Sequence, residues 1–140
     1  MTNCEIRPFK VNNIEAVLRL WASCEGLGRG PGDSVEALSR FLERNPGLSL
    51  VAVDGKSIAA AVLCGHDARR GYIYHLAVAA EYRRQGLASA LVRGCLSSLK
   101  AEGIERCQVF VQADNAVARK FWEAVGGKLR TDLHVLSIAL

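Results

Sequence analysis

A chain of 140 residues that is 50% hydrophobic and 23% charged can bury an ordinary core as one domain, without metals or disulfides. Its 18 Lys and Arg against 14 Asp and Glu leave a net charge of +4, too mild to mark a nucleic-acid binder but suited to a local basic site for a small polyanion. The cysteines, at 4, 24, 64, 95 and 107, are odd in number, scattered and without a C-x-x-C pair, which argues against a disulfide framework or zinc site and for a reducing compartment.

The opening Met1-Thr2-Asn3-Cys4-Glu5 has no basic-then-apolar signal pattern, and no apolar run approaches the roughly eighteen residues a membrane span needs, so the chain reads as cytoplasmic. Cys4 to Phe9 is a short strand. Asn12 with Glu15 resembles a capping box for a first helix whose Ile14, Val17, Leu18 and Trp21 share a face. Cys24 to Gly32, rich in glycine and holding Pro31, is a loop; Asp33 with Glu36 caps a second helix through Val35, Leu38, Phe41 and Leu42, stopped by Asn45-Pro46-Gly47. Leu48 to Val53 and Ser57 to Cys64 are apolar runs joined by Asp54-Gly55-Lys56, a hairpin signal. Gly65 to Gly71 is a polar turn, Tyr72 to Val78 a strand, Gly86 to Glu102 a helix and Cys107 to Val111 a strand, so this strand-helix-strand order implies a local parallel pair. Ala118, Phe121, Trp122 and Val125 mark a fourth helix stopped by Gly126-Gly127; Leu133 to Leu140 is a final strand, with a weaker one at Lys128 to Arg130. The expected fold is α/β of the α+β kind: a mixed, mostly antiparallel sheet flanked by about four helices, in a single domain over 1–140.

The most informative stretch leads from the fourth strand through Glu81-Tyr82-Arg83-Arg84-Gln85-Gly86-Leu87-Ala88 into the third helix. A basic, glycine-containing turn at a helix start offers free backbone N–H groups and the positive end of the helix dipole to an anion. Ala88, Leu91, Val92, Cys95 and Leu99 share one helical face, which fixes the turn at that start. The six-residue pattern alone is cheap, arising by accident in roughly one such chain in ten. Read alone it is equally a surface turn with solvated arginines.

Context removes that balance. The element order, Leu76-Ala77-Val78 before the turn, and Asn115-x-x-Ala118-x-x-Phe121-Trp122-Glu123-x-x-Gly126 after it resemble the GNAT superfamily of N-acetyltransferases over nearly the whole chain. Ile6-Arg7-Pro8-Phe9, Leu20-Trp21 and the tyrosine-rich strand are similar to small bacterial acetyltransferases of the YpeA type.

The resemblance implies a GNAT acyltransferase fold with acetyl-CoA as cosubstrate. It puts the pyrophosphate on the amides from Arg84 through Gln85, Gly86 and Leu87 to Ala88, beside the charges of Arg83 and Arg84, with Ser89 as a hydroxyl donor. It lays the pantetheine arm along Leu76, Ala77 and Val78 as an added strand, and makes the Leu76 N–H the oxyanion donor, a role worth about 3 kcal/mol. Asn115 either contacts the cofactor or merely caps its helix. Trp122 stands where the family often has a tyrosine that protonates the thiolate; an indole N–H has no acidic pKa for that work, so Trp122 reads as a wall beside CoA or as core. Tyr74 and Tyr72, on the face of Leu76, are the candidate pocket or proton-relay residues. His75 points the other way in this reading, more a satisfied, partly buried ring than a base. Glu81 reads as a turn residue or a partner of Arg83 or Arg84. The loop from Cys24 to Asp33 is expected to shape the acceptor pocket, where Glu25 and Asp33 can attract a cation, although Asp33 is also a cap. Gly126-Gly127 departs from the family's glycine-aromatic pair, which puts the wall of the last strands in doubt. Cys24, Cys64 and Cys107 have no sequence-local base, so burial is preferred to an acyl-cysteine route.

The implied activity is direct acetyl transfer from acetyl-CoA to a primary amine. Partners are a small-molecule or peptide amine, with a homodimer left open, and neither nucleic acid, membrane nor metal. The competing class is a non-catalytic acyl-CoA-binding regulatory module. A nucleotide-binding domain is weaker still, for want of G-x-G-x-x-G after a first strand or a P-loop lysine.

Overall fold

Five strands form one sheet in the order β1-β2-β3-β4-β5, comprising Glu5–Pro8, Leu50–Asp54, Ser57–His66, Gly71–Val78 and Cys107–Val109. The computed structural model describes residues 3–25, 27 and 30–140. Neighbouring strands from β1 to β4 pair antiparallel, and β4 pairs parallel with β5. The parallel step needs a crossover, supplied by α3 (Leu87–Ala101); α1 (Ile14–Ser23) and α2 (Val35–Arg44) precede β2, and α4 (Ala116–Ala124) follows β5. Short 3-10 turns occupy Val11–Asn13 and Ala80–Tyr82.

β3 is buried on both faces over Ala59 to Gly65, as its unbroken run of small and apolar residues implies. One face, through Val51, Val53, Ala61, Leu63 and Ala77, packs on Ile14, Val17, Leu20 and Trp21 of α1 and on Leu38 and Leu42 of α2. α3 packs against β2, β3 and β4, burying Leu91, Val92, Cys95 and Leu99. Each large apolar side chain so buried contributes about 1.5–3 kcal/mol.

The caps differ from their expected positions. Val11 to Asn13 winds into a 3-10 turn, and Asn13 Oδ1 accepts the Lys10 N–H at 2.9 Å, in place of a box between Asn12 and Glu15. On α2 the cap is Ser34, whose Oγ accepts the Ala37 N–H at 3.1 Å; Asp33 is not the cap.

The chain divides into two compact units, Met1–Phe110 and Val111–Leu140. The second contains α4 and no strand, so the expected strands at Leu133 to Leu140 and Lys128 to Arg130 do not form. Alternating residues make a strand only beside a partner, and this unit holds none. Arg130 instead folds onto Asp132 through two bonds of 2.9 Å.

Candidate active site

The site begins with an irregularity in β4. Ala61 of β3 faces Ala77, and Leu63 faces Tyr74, so the single residue Val62 opposes two, His75 and Leu76. That is a β-bulge, and His75 carries its unusual backbone, with φ at +52°. Non-glycine residues seldom adopt this region, where Asn, Asp and His are the commonest visitors. The extra residue breaks the two-residue alternation. Tyr74 and Ala77, three apart, both pack on the cluster beneath α1 and α2.

His75 reaches that same side. Its ring centroid lies 4.7 Å from that of Trp21, and its Nε2 lies 3.1 and 3.2 Å from the two carboxylate oxygens of Asp33. The expectation that His75 opposes Tyr72 and Tyr74 is thereby corrected: the bulge turns it onto their side. Released from capping, Asp33 is 8% exposed and also accepts the Gly30 N–H at 2.9 Å. Beside this pair, the Trp21 Nε1 is a buried donor with no hydrogen-bond acceptor among the described residues.

The parallel ladder between β4 and β5 covers only Gly71 to Ile73 against Cys107 to Val109. From Tyr74 to Val78, the stretch that contains the bulge and Leu76, β5 supplies no partner. β5 also ends two residues short of its expected limit at Val111. At the paired end, the rings of Tyr72 and Tyr74 lie 6.1 Å apart and 8° from parallel, and Phe110 lies 6.2 Å from each. Phe41 meets Tyr74 edge-on at 6.2 Å. Burial, then the neighbouring Tyr72, pushes the Tyr74 phenol above its ordinary value, so it stays neutral.

Beyond β4, the backbone turns through Arg84 at φ +63° and Gly86 at φ +80° before α3 begins at Leu87. No side chain caps this helix start, and residues 83–86 are exposed. The N-terminal amides, the helix dipole and the exposed arginines together have the makings of an anion site. Arg83 is partly committed elsewhere, its Nε donating to the Val78 carbonyl at 3.1 Å and its Nη2 lying 4.0 Å from Cys24 Sγ. Glu81 is exposed and forms no ion pair among the described residues, so its expected pairing with Arg83 or Arg84 is absent. Leu87 is buried, while Ala88 and Ser89 are half-buried in the first turn.

In the second unit, Asn115 caps α4, its Oδ1 accepting the Ala118 N–H at 3.0 Å, while Trp122 is half-buried with its ring 5.1 Å from Phe121. Cys64 and Cys95 are buried, and burial with the nearby Cys64 pushes the Cys107 thiol up to about 12, which disfavours a thiolate nucleophile. No group of three or more metal-ligating side chains occurs among the described residues. Nor is any described helix long and apolar enough to cross a membrane.

The sequence profile of the Acetyltransferase (GNAT) family matches residues 14–126. Acetyltransferase SG1711 of Sodalis glossinidius is 30% identical over 132 residues, covering 94% of this chain and 92% of that protein. Acetyltransferase ECA0875 of Pectobacterium atrosepticum is 36% identical over 111 residues, or 79% and 78% of the two chains. Among solved structures, the PaiA N-acetyltransferase of Thermoplasma acidophilum in complex with coenzyme A shares the fold at a TM-score of 0.79 over 92% of each chain, with only 18% identity. The chain belongs to the Acetyltransferase (GNAT) family, as an acetyl-CoA-dependent N-acetyltransferase.

Proposed function

We propose that this protein transfers acetyl directly from acetyl-CoA to a primary amine of a small molecule or peptide, as one functional domain over 1–140. The observation that carries the site assignment is the conjunction on β4: its ladder to β5 stops at Ile73, and the strand then leads into the left-handed turn that opens α3. A pantetheine arm suits the Tyr74 to Val78 backbone as an added strand, through Leu76, Ala77 and Val78. The pyrophosphate suits the amides from Arg84 to Ala88, with Gln85 and Ser89 at the rim and Arg83 and Arg84 supplying charge. In this reading the Leu76 N–H donates to the carbonyl oxygen as negative charge develops there. Tyr72 and Tyr74 line the acceptor side, and the family resemblance makes Asn115 and Trp122 the further candidates for cofactor contact.

Five scattered cysteines without a C-x-x-C pair and bacterial relatives support a bacterial, cytoplasmic enzyme that acts without nucleic acid or membrane, and a homodimer is compatible with it. The test is thiol release from acetyl-CoA against amino acids, polyamines, aminoglycosides and peptides, with CoA binding followed by calorimetry. Acceptor-dependent release names the substrate class. Tight CoA binding with no release favours a regulatory acyl-CoA module, and no binding at all removes the site assignment.

A further inference from the structure

We propose that His75, held by Asp33 at the β4 bulge, is the base that takes the proton from the attacking amine. The inference rests on the assignment of acetyl-CoA to the β4 backbone, since His75 directly precedes Leu76. Three observations converge on it. Nε2 of the imidazole lies 3.1 and 3.2 Å from the oxygens of a carboxylate that is itself buried. An ionised carboxylate only accepts, so in the neutral ring Nε2 carries the hydrogen and Nδ1 the lone pair, the arrangement of a base oriented by a third group. The backbone at His75 stands at φ +52° within the bulge, and bulges of this kind are over-represented beside active sites, where they re-aim a side chain. The buried Trp21 N–H, in the same cluster, has no acceptor among the described residues, and such orphaned donors in native structures call for an explanation.

The step balances without any further reagent. As the amine nitrogen bonds to the acetyl carbon, the C–S bond breaks and its electron pair leaves on sulfur. The N–H proton passes to Nδ1, giving an imidazolium stabilised by Asp33, and from there to the thiolate directly or through water. The products are the amide and CoA thiol. The ring meets the Asp33 carboxylate and the Trp21 indole, and of the two Asp33 is titratable. Asp33 is a positioning residue here.

The test uses the whole chain, acetyl-CoA and the fastest amine from the acceptor panel, or water as nucleophile if no amine exceeds it. His75→Asn is the informative variant, because asparagine tolerates the left-handed backbone of the bulge. His75→Gln with a thermal melt checks that the fold persists. For His75→Asn, kcat is expected to fall about a hundredfold, with CoA affinity within about twofold of wild type and the acidic limb of the kcat/KM profile lost. Nitrogen-15 spectra are expected to place the ring hydrogen on Nε2. In Asp33→Asn, whose amide can also donate, a second tautomer appears while kcat falls and KM holds. A His75→Asn enzyme with more than about a third of wild-type kcat and an unchanged pH profile overturns the proposal and leaves the pair a structural clasp. Failure of the wild type to bind CoA is a separate result: it removes the acetyl-CoA site assignment, and the base with it.

Discussion

The phenol of Tyr82 donates to Asp54 Oδ2 at 2.7 Å, tying the turn that opens α3 to the end of β2 at the β2–β3 hairpin. Tyr82→Phe removes that tie and leaves the ring. We expect CoA affinity to weaken about threefold by calorimetry, as one partly exposed hydrogen bond allows. The bond to Asp54, then burial, pushes the phenol up to about 12. Because the folded value lies above the ordinary tyrosine value of about 10, the tie is intact below that pH and is lost as pH rises through the folded value. The absorbance titration of wild type minus Tyr82→Phe is expected to show an inflection near that upper value.

Gly86 sits at φ +80°, and a Cβ built there meets nothing within 4 Å. Its requirement is therefore conformational, not spatial. Gly86→Val is expected to weaken CoA binding about five- to thirtyfold, matching a left-handed penalty of about 1–2 kcal/mol, and Gly86→Asn by less than about threefold. Equal effects of the two would mean that room for the ligand, rather than φ, sets the requirement.

Gly65 presents the opposite case, since an added Cβ would come within 2.7 Å of Asn45 Nδ2 and 2.8 Å of Phe41 Cζ. The same Asn45 accepts the His66 N–H through Oδ1 at 3.0 Å, so it cannot move without loosening β3. Gly65→Ala is expected to destabilise the fold by about 1–3 kcal/mol in urea unfolding.

Ser34 and Asp33 are adjacent acceptors with separate duties. Ser34→Ala is expected to cost about 1 kcal/mol of stability by loss of the α2 cap while kcat stays unchanged. A loss of rate in step with the loss of stability would show that the cap also positions Asp33.

Trp122→Phe is expected to leave kcat within about threefold, because an indole has no proton to give the departing thiolate. A hundredfold fall with CoA affinity intact would assign the indole a chemical part.

The hairpin at Asp54-Gly55-Lys56, the α3 face and the glycine turn were legible because each rests on local chemistry: a turn dipeptide, a helical period, a residue free to take positive φ. The bulge was not. Tyr74-His75-Leu76 reads as unbroken strand, and an inserted residue leaves no mark in composition; only the three-residue step from Tyr74 to Ala77 on one face betrays it. That omission hid the Asp33–His75 pair, which also needed the α2 cap to fall on Ser34 rather than one residue earlier. Each residue stands out in the sequence by itself, and only the folded chain supplies their meeting across 42 positions. The final strand failed for the opposite reason, since its pattern is present and its partner is not.

A sheet that stops pairing at Ile73 leaves main-chain groups whose hydrogen bonds water or a ligand must complete. If acetyl-CoA completes them, the cosubstrate contributes to folding as well as to turnover. Saturation at a hundredfold over Kd is worth about 2.7 kcal/mol, a large share of a small domain's margin. The protein's lifetime would then follow the supply of its acetyl donor, so that starvation lowers enzyme abundance as well as rate.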